Sequence, residues 1–342
     1  MSFLSLIGFF FVIKFFMYFI LFFTGDSDFE LWWYNMFSNK LAHAYTRDDG
    51  KIYIVYHNDT LKGKVVWITG ASSGIGEHIA LQLSKSGSKL ILSARNKEKL
   101  LQVKNHCLEI SGGKLSANDI LVLPMDVTNV SKHVSWFDSV INHFGKLDIL
   151  INNAGRSQRA KWEDIELSVD REAFDLNVFA AINLSRIAVR YFNQIGSGQL
   201  VATSSVAGIV PPPFSATYNA TKHALHGYFG ALQREKVHSN IYVTLLCPGP
   251  VFSNFLKESF TAHPGEKFGL SHSPTDNRMS AERCARLSCI AIANKLKESW
   301  IGKFPIIPLL YLSVYYPILS NKLYELYGYK IIQKIRDNQP AV

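Results

Sequence analysis

The stretch "KVVWITGASSGIG", residues 64–76, decides the fold. Its first half is a short apolar run that stops at Gly70. Its second half spaces three glycines as G-x-x-x-G-x-G (Gly70, Gly74, Gly76) and leads into a helix-like stretch from Ile75 to Lys85. A strand, a glycine turn and a helix N-terminus in that order form a cradle for a pyrophosphate. Gly70 suits the tight turn, Gly74 the close approach of backbone to phosphate, and Gly76 close packing of the helix. The spacing departs from G-x-G-x-x-G, so the argument leans on position, at the first strand of an alternating pattern.

That pattern continues outward. "KLILSAR" (89–95), "ILVLPMDV" (120–127), "LDILINNAG" (147–155), "QLVATSSVAG" (199–208) and "IYVTLLCPGPV" (241–251) read as further strands. Helical stretches at 96–110, 130–144 and about 170–193 separate them, and another carries "YNATK" (218–222). "ESWIGKFPII" supplies a last strand near 300–306. Continuous apolar strands alternating with helices predict an α/β fold, a doubly wound parallel sheet of Rossmann type covered on both faces.

The chain of 342 residues is 48% apolar and 18% charged, enough for a large core. Its net charge of +9 comes from scattered Lys and Arg rather than a block, and no nucleic-acid reading motif is present. An anionic lipid surface or a phosphorylated cofactor fits that charge. Cys107, Cys247, Cys284 and Cys289 show no metal-ligand spacing, so they read as buried thiols and no metal is expected.

The ends differ from the middle. Phe3 to Phe23 is apolar except for Ser5, Gly8 and Lys14. At ~1.5 Å per residue it spans roughly 31 Å, one hydrocarbon core. It lacks the small-residue cleavage site of a signal peptide, so an uncleaved anchor over residues 1–24 is expected. Lys14 must then snorkel, pair in an oligomer, or mark a tilted segment. The charge distribution favours a lumenal body. Residues 25–60 read as a connector, 61–302 as a single catalytic domain, and 303–342 as an extension. In the extension, "FPIIPLLYLSVYYPILS" is apolar and carries three prolines that break a regular helix, as in a pocket lip or a surface lying on membrane.

"YNATK" has three readings: a sugar sequon at Asn219, a surface pair on a helix, or a phenol placed beside an ammonium. Tyr218 and Lys222 are four apart and share one helical face. Asn58, Asn129 and Asn183 open further sequons, the last inside a helix. His223 follows Lys222 and reads as a packed helix residue. The second strand ends in Ser93-Ala94-Arg95 without the acid that commonly holds an NAD ribose. Arg95 can instead grip a 2′-phosphate bidentately, which points to NADP(H).

Taken together, "TGASSGIG", Asn152-Asn153-Ala154-Gly155, Asn177, Ser205, "YNATK" and Pro248-Gly249 resemble the short-chain dehydrogenase/reductase family over about 61 to 260. "LSAR", "DILVLPMDVT" and "CPGPVFSN" are similar to a membrane-anchored branch of it. The resemblance implies that Tyr218 is the proton donor in carbonyl reduction. An adjacent Lys222 would lower a phenol pKa of about 10 and bind the nicotinamide ribose. It implies that Ser205, thirteen residues before Tyr218, hydrogen-bonds the substrate oxygen in preference to Ser204, and that Asn177 sustains a relay water. It implies cofactor contacts at Gly70, Ser72, Ser73, Gly74, Ile75 and Gly76. Further contacts are implied at Asp126 and Val127 (adenine), at Asn153, Ala154 and Gly155, and at Pro248, Gly249, Val251 and Ser253 over the nicotinamide. Ser253 stands where many relatives have threonine and keeps the hydroxyl.

The expectation is therefore an NADP(H)-dependent carbonyl reductase or alcohol dehydrogenase. It acts on lipophilic steroid, retinoid or xenobiotic substrates, is tethered to the endoplasmic reticulum membrane, and can form a homo-oligomer as family members do. The rivals are an NAD-linked alcohol dehydrogenase and a non-catalytic membrane-tethered Rossmann binding protein. Nothing catalytic is missing to favour the latter.

Overall fold

The computed structural model describes residues 25–37, 43–46, 52–55, 60–271 and 273–328. The expected anchor, residues 1–24, and the Asn58 sequon lie outside the described residues, as does the chain beyond 328. Among the described residues, no helix is long and apolar enough to cross a membrane.

Seven parallel strands form the central sheet: β1 (Val65–Thr69), β2 (Lys89–Ser93), β3 (Ile120–Val122), β4 (Ile149–Asn152), β5 (Gly198–Thr203), β6 (Ile241–Pro248) and β7 (Glu298–Ile301). Their order is β3-β2-β1-β4-β5-β6-β7. The order in which successive strands are added reverses between β1 and β4, and a crevice opens there at the carboxyl ends of the strands. The seventh strand lies a few residues earlier than the apolar pattern suggested. A separate antiparallel hairpin pairs His43–Thr46 with Ile52–Val55.

Successive residues of β1 face opposite layers. Val66 and Ile68 join the core beneath α1 (Phe29–Phe37), α2 (Gly74–Lys85), α3 (Lys97–Ile110) and α8 (Ala281–Ala293). Val65 and Trp67 join the core beneath α4 (His133–Phe144), α6 (Ala180–Ile195) and α7 (Ala216–Glu235). The period of two along a strand thus serves two buried faces, which is why the strands read as unbroken apolar runs. Helix α5 (Leu167–Phe174) runs into α6 through a π-helical turn, Asp175–Phe179.

The start of the described chain covers the exposed edge of β7. Ser27 bridges Ile301 antiparallel, Asp28 N donates to Trp300 O at 2.9 Å, and Gly302 N donates to Asp26 O at 2.9 Å. The Asp28 carboxylate accepts from Leu31 N and Trp300 N, and burial pushes its pKa up to about 6. Arg283 holds Asp26 at 2.7 Å. Capping an edge strand in this way removes a template for unwanted pairing.

The extension forms helices despite its prolines: α9 (Ile306–Tyr315) and α10 (Pro317–Leu323), followed by a π turn at Tyr324–Gly328. Pro308 lies in the first turn of α9 and Pro317 opens α10. A first-turn residue has no intrahelical N–H bond to lose, so proline is tolerated there. The chain breaks only between the two helices, at Tyr316.

Candidate active site

A single cavity of about 1330 Å³ runs along the crevice and is lined by most of the residues singled out from the sequence. Its floor begins with the glycine turn. Gly70 has φ +68° and carries no Cβ, and one built there would fall 2.9 Å from Ala154 Cα. At Gly76 a Cβ would sit 2.4 Å from Gly70 O and 2.5 Å from Asn153 Nδ2. Both contacts are too close for any side chain, so glycine is obligatory at each. Ser73 caps α2 without a side-chain cap bond. Ser72, Ser73, Gly74 and Ile75 therefore present hydroxyls and helix N-terminal N–H groups at the cavity wall, the polar cradle that a pyrophosphate needs.

Thr69 ties this turn to the end of β4. Its Oγ1 accepts from Asn153 N at 3.0 Å and Ala154 N at 3.1 Å. Asn153 Nδ2 donates back to Thr69 O and Gly70 O, each at 3.2 Å. Thr203 Oγ1 reaches Asn153 Oδ1 at 3.3 Å, linking β1, β4 and β5 at the switch point.

Tyr218 and Lys222 both line the cavity from α7. Lys222 Nζ stands 5.5 Å from the Tyr218 ring centroid and donates to Thr203 O at 2.8 Å. Lys222 is 4% exposed, and burial lowers its pKa to about 8, with the nearby Cys247 opposing the shift. Phe255 packs edge-on against Tyr218, centroids 5.8 Å apart. Asn219 is buried and its Nδ2 donates to Pro212 O at 2.7 Å, so its sequon lies in the packed interior. Ser205 Oγ accepts from Ala207 N and donates to Pro248 O at 3.2 Å. Ser204 Oγ donates to Lys222 O at 3.3 Å, engaged by the helix backbone.

Asp126 and Val127, Asn153, Ala154 and Gly155, and Pro248, Gly249, Val251 and Ser253 all line the same cavity, as does the exposed Arg95. Two of the expected site residues do not face the cavity. Gly76 faces Gly70 O and Asn153, in keeping with the close helix packing expected of it, and stands outside the cavity lining. Asn177 is 2% exposed and stands one layer back. Its Oδ1 accepts from Arg156 N at 2.9 Å, and its Nδ2 donates to Arg156 O at 2.9 Å and to Thr221 Oγ1 at 3.1 Å. His223 is exposed, not packed, its ring bonded to Asn219 O at 2.9 Å. Cys107, Cys247 and Cys284 are buried free thiols, and Cys289 is half-buried.

Sequence reasoning missed Thr69, Thr203, Phe255 and Arg156; Ile306, Leu309, Leu310, Tyr324 and Tyr327 of the extension line the cavity wall, and a pocket lip was one of the two readings expected of that segment. Thr69 was visible as the residue before the glycine turn, where a hydroxyl can cross to the next strand. The extension's sequence offered a pocket lip and a membrane-facing surface without choosing between them.

The sequence profile of short chain dehydrogenases matches residues 64–264. Human dehydrogenase/reductase SDR family member 7 is 39% identical over 282 residues, 82% of each chain. The 11-beta-hydroxysteroid dehydrogenase-like 2 protein of Arabidopsis thaliana is 35% identical over 250 residues, 72% of this chain and 77% of the relative. The crystal structure of a short-chain dehydrogenase from Streptomyces avermitilis superposes with a TM-score of 0.62 at 26% identity, covering 77% of this chain and 96% of that one. The glycine turn, the switch-point crevice and these likenesses agree that the chain belongs to the short-chain dehydrogenase/reductase family of oxidoreductases and is similar to its member 7 branch.

Proposed function

We propose that the protein is an NADP(H)-dependent oxidoreductase that interconverts carbonyls and alcohols on lipophilic substrates of steroid, retinoid or xenobiotic type. The observation that carries this reading is the placement of Tyr218 and Lys222 on one wall of the cavity that also holds the glycine turn. Residues 61–302 act as the catalytic domain. Gly70, Ser72, Ser73, Gly74 and Ile75 hold the pyrophosphate, Arg95 the 2′-phosphate, and Asp126 and Val127 the adenine. Asn153, Ala154, Gly155, Pro248, Gly249, Val251 and Ser253 enclose the rest. When bound, the nicotinamide supplies or takes the hydride.

The chain's own residues position the substrate and move the proton. In reduction Tyr218 gives its hydroxyl proton to the developing alkoxide. The Lys222 ammonium stabilises the phenolate left behind and so lowers the cost of the transfer. Ser205 Oγ turns from Pro248 O to the substrate oxygen. Asn177, held on both sides by the Arg156 backbone, orients a relay water behind Lys222.

Residues 1–24 anchor the protein in the endoplasmic reticulum membrane, with the body in the lumen. Phe29 N donates to Tyr311 Oη of α9 at 3.1 Å, so the chain following the anchor starts beside the cavity lip. The lip exposes Tyr315, Tyr316, Ile318, Leu319, Leu326 and Tyr327. An apolar surface at the mouth of an apolar-walled cavity supports substrate entry from lipid. The experiment is turnover by purified full-length protein with NADPH and with NADH across steroid, retinoid and quinone panels. Turnover that is faster with NADPH supports the reading, and no turnover with either cofactor rejects it.

A further inference from the structure

Arg156 follows the loop after β4, and its backbone is immobilised by the two hydrogen bonds to Asn177. Its side chain is half-buried in the cavity wall. Nε donates to Glu258 O at 2.6 Å, and the guanidinium lies 3.9 Å above the Phe260 ring centroid. These two contacts fix the plane of the group. They leave both Nη atoms without a hydrogen-bond acceptor among the described residues, since Glu172 Oε1 stands 3.9 Å from Nη1. A guanidinium has five N–H donors, and here only one is engaged. Burial draws its pKa below the usual arginine value, as expected for a cation short of compensation.

The place matters as much as the unused donors. Glu258 and Phe260 belong to the segment whose Phe255 packs on Tyr218. The guanidinium is therefore held by the same segment that packs against the reacting phenol. Another part of the cavity wall is apolar, with Ile306, Leu309, Leu310 and Tyr324. The charge is also informative. Glu258 is paired with Lys267 at 2.8 Å, so the nearest uncommitted carboxylate is Glu172. Arg156 and Glu172 oppose each other, and Arg95 adds a further positive charge on the same wall. An anion brought to Arg156 would meet Glu172, and a cation would meet Arg156, whereas a neutral acceptor oxygen meets neither penalty.

We propose that Arg156 is a specificity-determining residue whose guanidinium hydrogen-bonds an uncharged second oxygen of the substrate, so that the preferred substrates are amphipathic: an apolar body, a reacting carbonyl at Tyr218 and a further carbonyl or hydroxyl at Arg156. This rests on the carbonyl-reductase reading above, and its test separates the two.

The probes are linear diketones with a methyl-ketone group at each end and two, four or six methylenes between, against the monoketones of matched length. Affinity is read by isothermal titration of the full-length protein with NADPH present, and turnover is read separately. A hydrogen bond from a charged donor is worth about tenfold or more in affinity. The parent should therefore bind at least one diketone about tenfold tighter than its monoketone, beyond the twofold statistical advantage of two ends. Arg156→Met should bring that ratio down to about two while leaving monoketone affinity within about threefold. Arg156→Lys, which keeps the charge on a shorter donor set, should retain part of the preference and guards against a misfolded methionine variant. A parent with no preference for any diketone overturns the proposal. So does an Arg156→Met variant that loses affinity equally for both ketones, which would make Arg156 a staple between the two segments and nothing more. Binding preference without turnover of any ketone would reject the reductase reading and leave the recognition role standing.

Discussion

Replacing Lys222 with methionine should make the cofactor-free protein more stable at neutral pH while removing its activity. The side chain is almost fully buried, and its pKa falls from 10.5 to about 8 chiefly through desolvation. A drop of about 2.5 units in a buried lysine means that the charged form costs the folded state about 3 kcal/mol at pH 7. The variant also strips Thr203 O of its 2.8 Å donor, a loss of about 1 kcal/mol. The net gain is about 2 kcal/mol, or roughly 3 °C in Tm. The sign with pH follows from proton counting. Between about 8 and 10.5 the unfolded chain keeps a proton that the folded chain has released, so the parent's stability rises with pH across that window. At pH 9.5 the penalty has shrunk to about 1 kcal/mol, and the variant's advantage should be close to zero. Urea unfolding of parent and variant at both pH values, without cofactor, reads this directly. A variant less stable than the parent at pH 7, or an advantage unchanged at pH 9.5, would refute the reading of Lys222 as a buried cation short of compensation.

Tyr218→Phe keeps the ring against Phe255 and removes only the hydroxyl, so turnover should fall by about a thousandfold or more with NADPH affinity nearly unchanged; turnover within tenfold of the parent would reject Tyr218 as the proton donor. Arg95→Asp should weaken NADPH binding by about tenfold or more relative to NADH, because a repelling charge replaces an exposed cation on the cavity wall; an unchanged ratio of the two affinities in a titration means that Arg95 does not read the 2′-phosphate. The full-length protein should stay with membranes through alkaline carbonate, and deletion of residues 1–24 should release it. Release of the intact protein would count against a spanning anchor, and retention of the deletion variant would shift attachment to α9 and α10.

Much of the architecture was legible because the relevant signals are local. A buried strand must be apolar along its whole length, a helix must repeat at its own period, and a turn beneath a phosphate must be glycine. "KVVWITGASSGIG" therefore announced β1, its turn and α2 together, and the strands that followed fell where their apolar runs lay. The pairing of Tyr218 with Lys222 was legible for the same reason, since four residues along a helix return to one face. Lengths were less so. The run 120–127 is regular strand only over Ile120–Val122, although Leu123 N and Met125 N go on to donate to Leu92 O and Ala94 O; Pro124 falls between them, where its missing N–H costs no bond.

What the tertiary structure alone decided depends on contacts between distant parts of the chain. The spacing assigned Gly76 to close helix packing, but its partners, Gly70 O and the Asn153 amide, come together only in the folded chain. A π turn at Asp175–Phe179 places Asn177 behind the wall, where its amide clasps Arg156 rather than facing the cavity. Lys222 acquires its lowered pKa from the protein packed around it, a property that no residue identity carries. Arg156 becomes a recognition candidate only because Glu258 and Phe260, about a hundred positions later, hold its guanidinium in the wall. The extension is the furthest case. Its prolines forecast a broken segment, yet each falls where a helix can begin, and Tyr311 meets Phe29 across a separation of 282 residues. Periodicity reports which face of an element is buried; which partner covers that face, and what chemistry results, is settled only when the whole chain has packed.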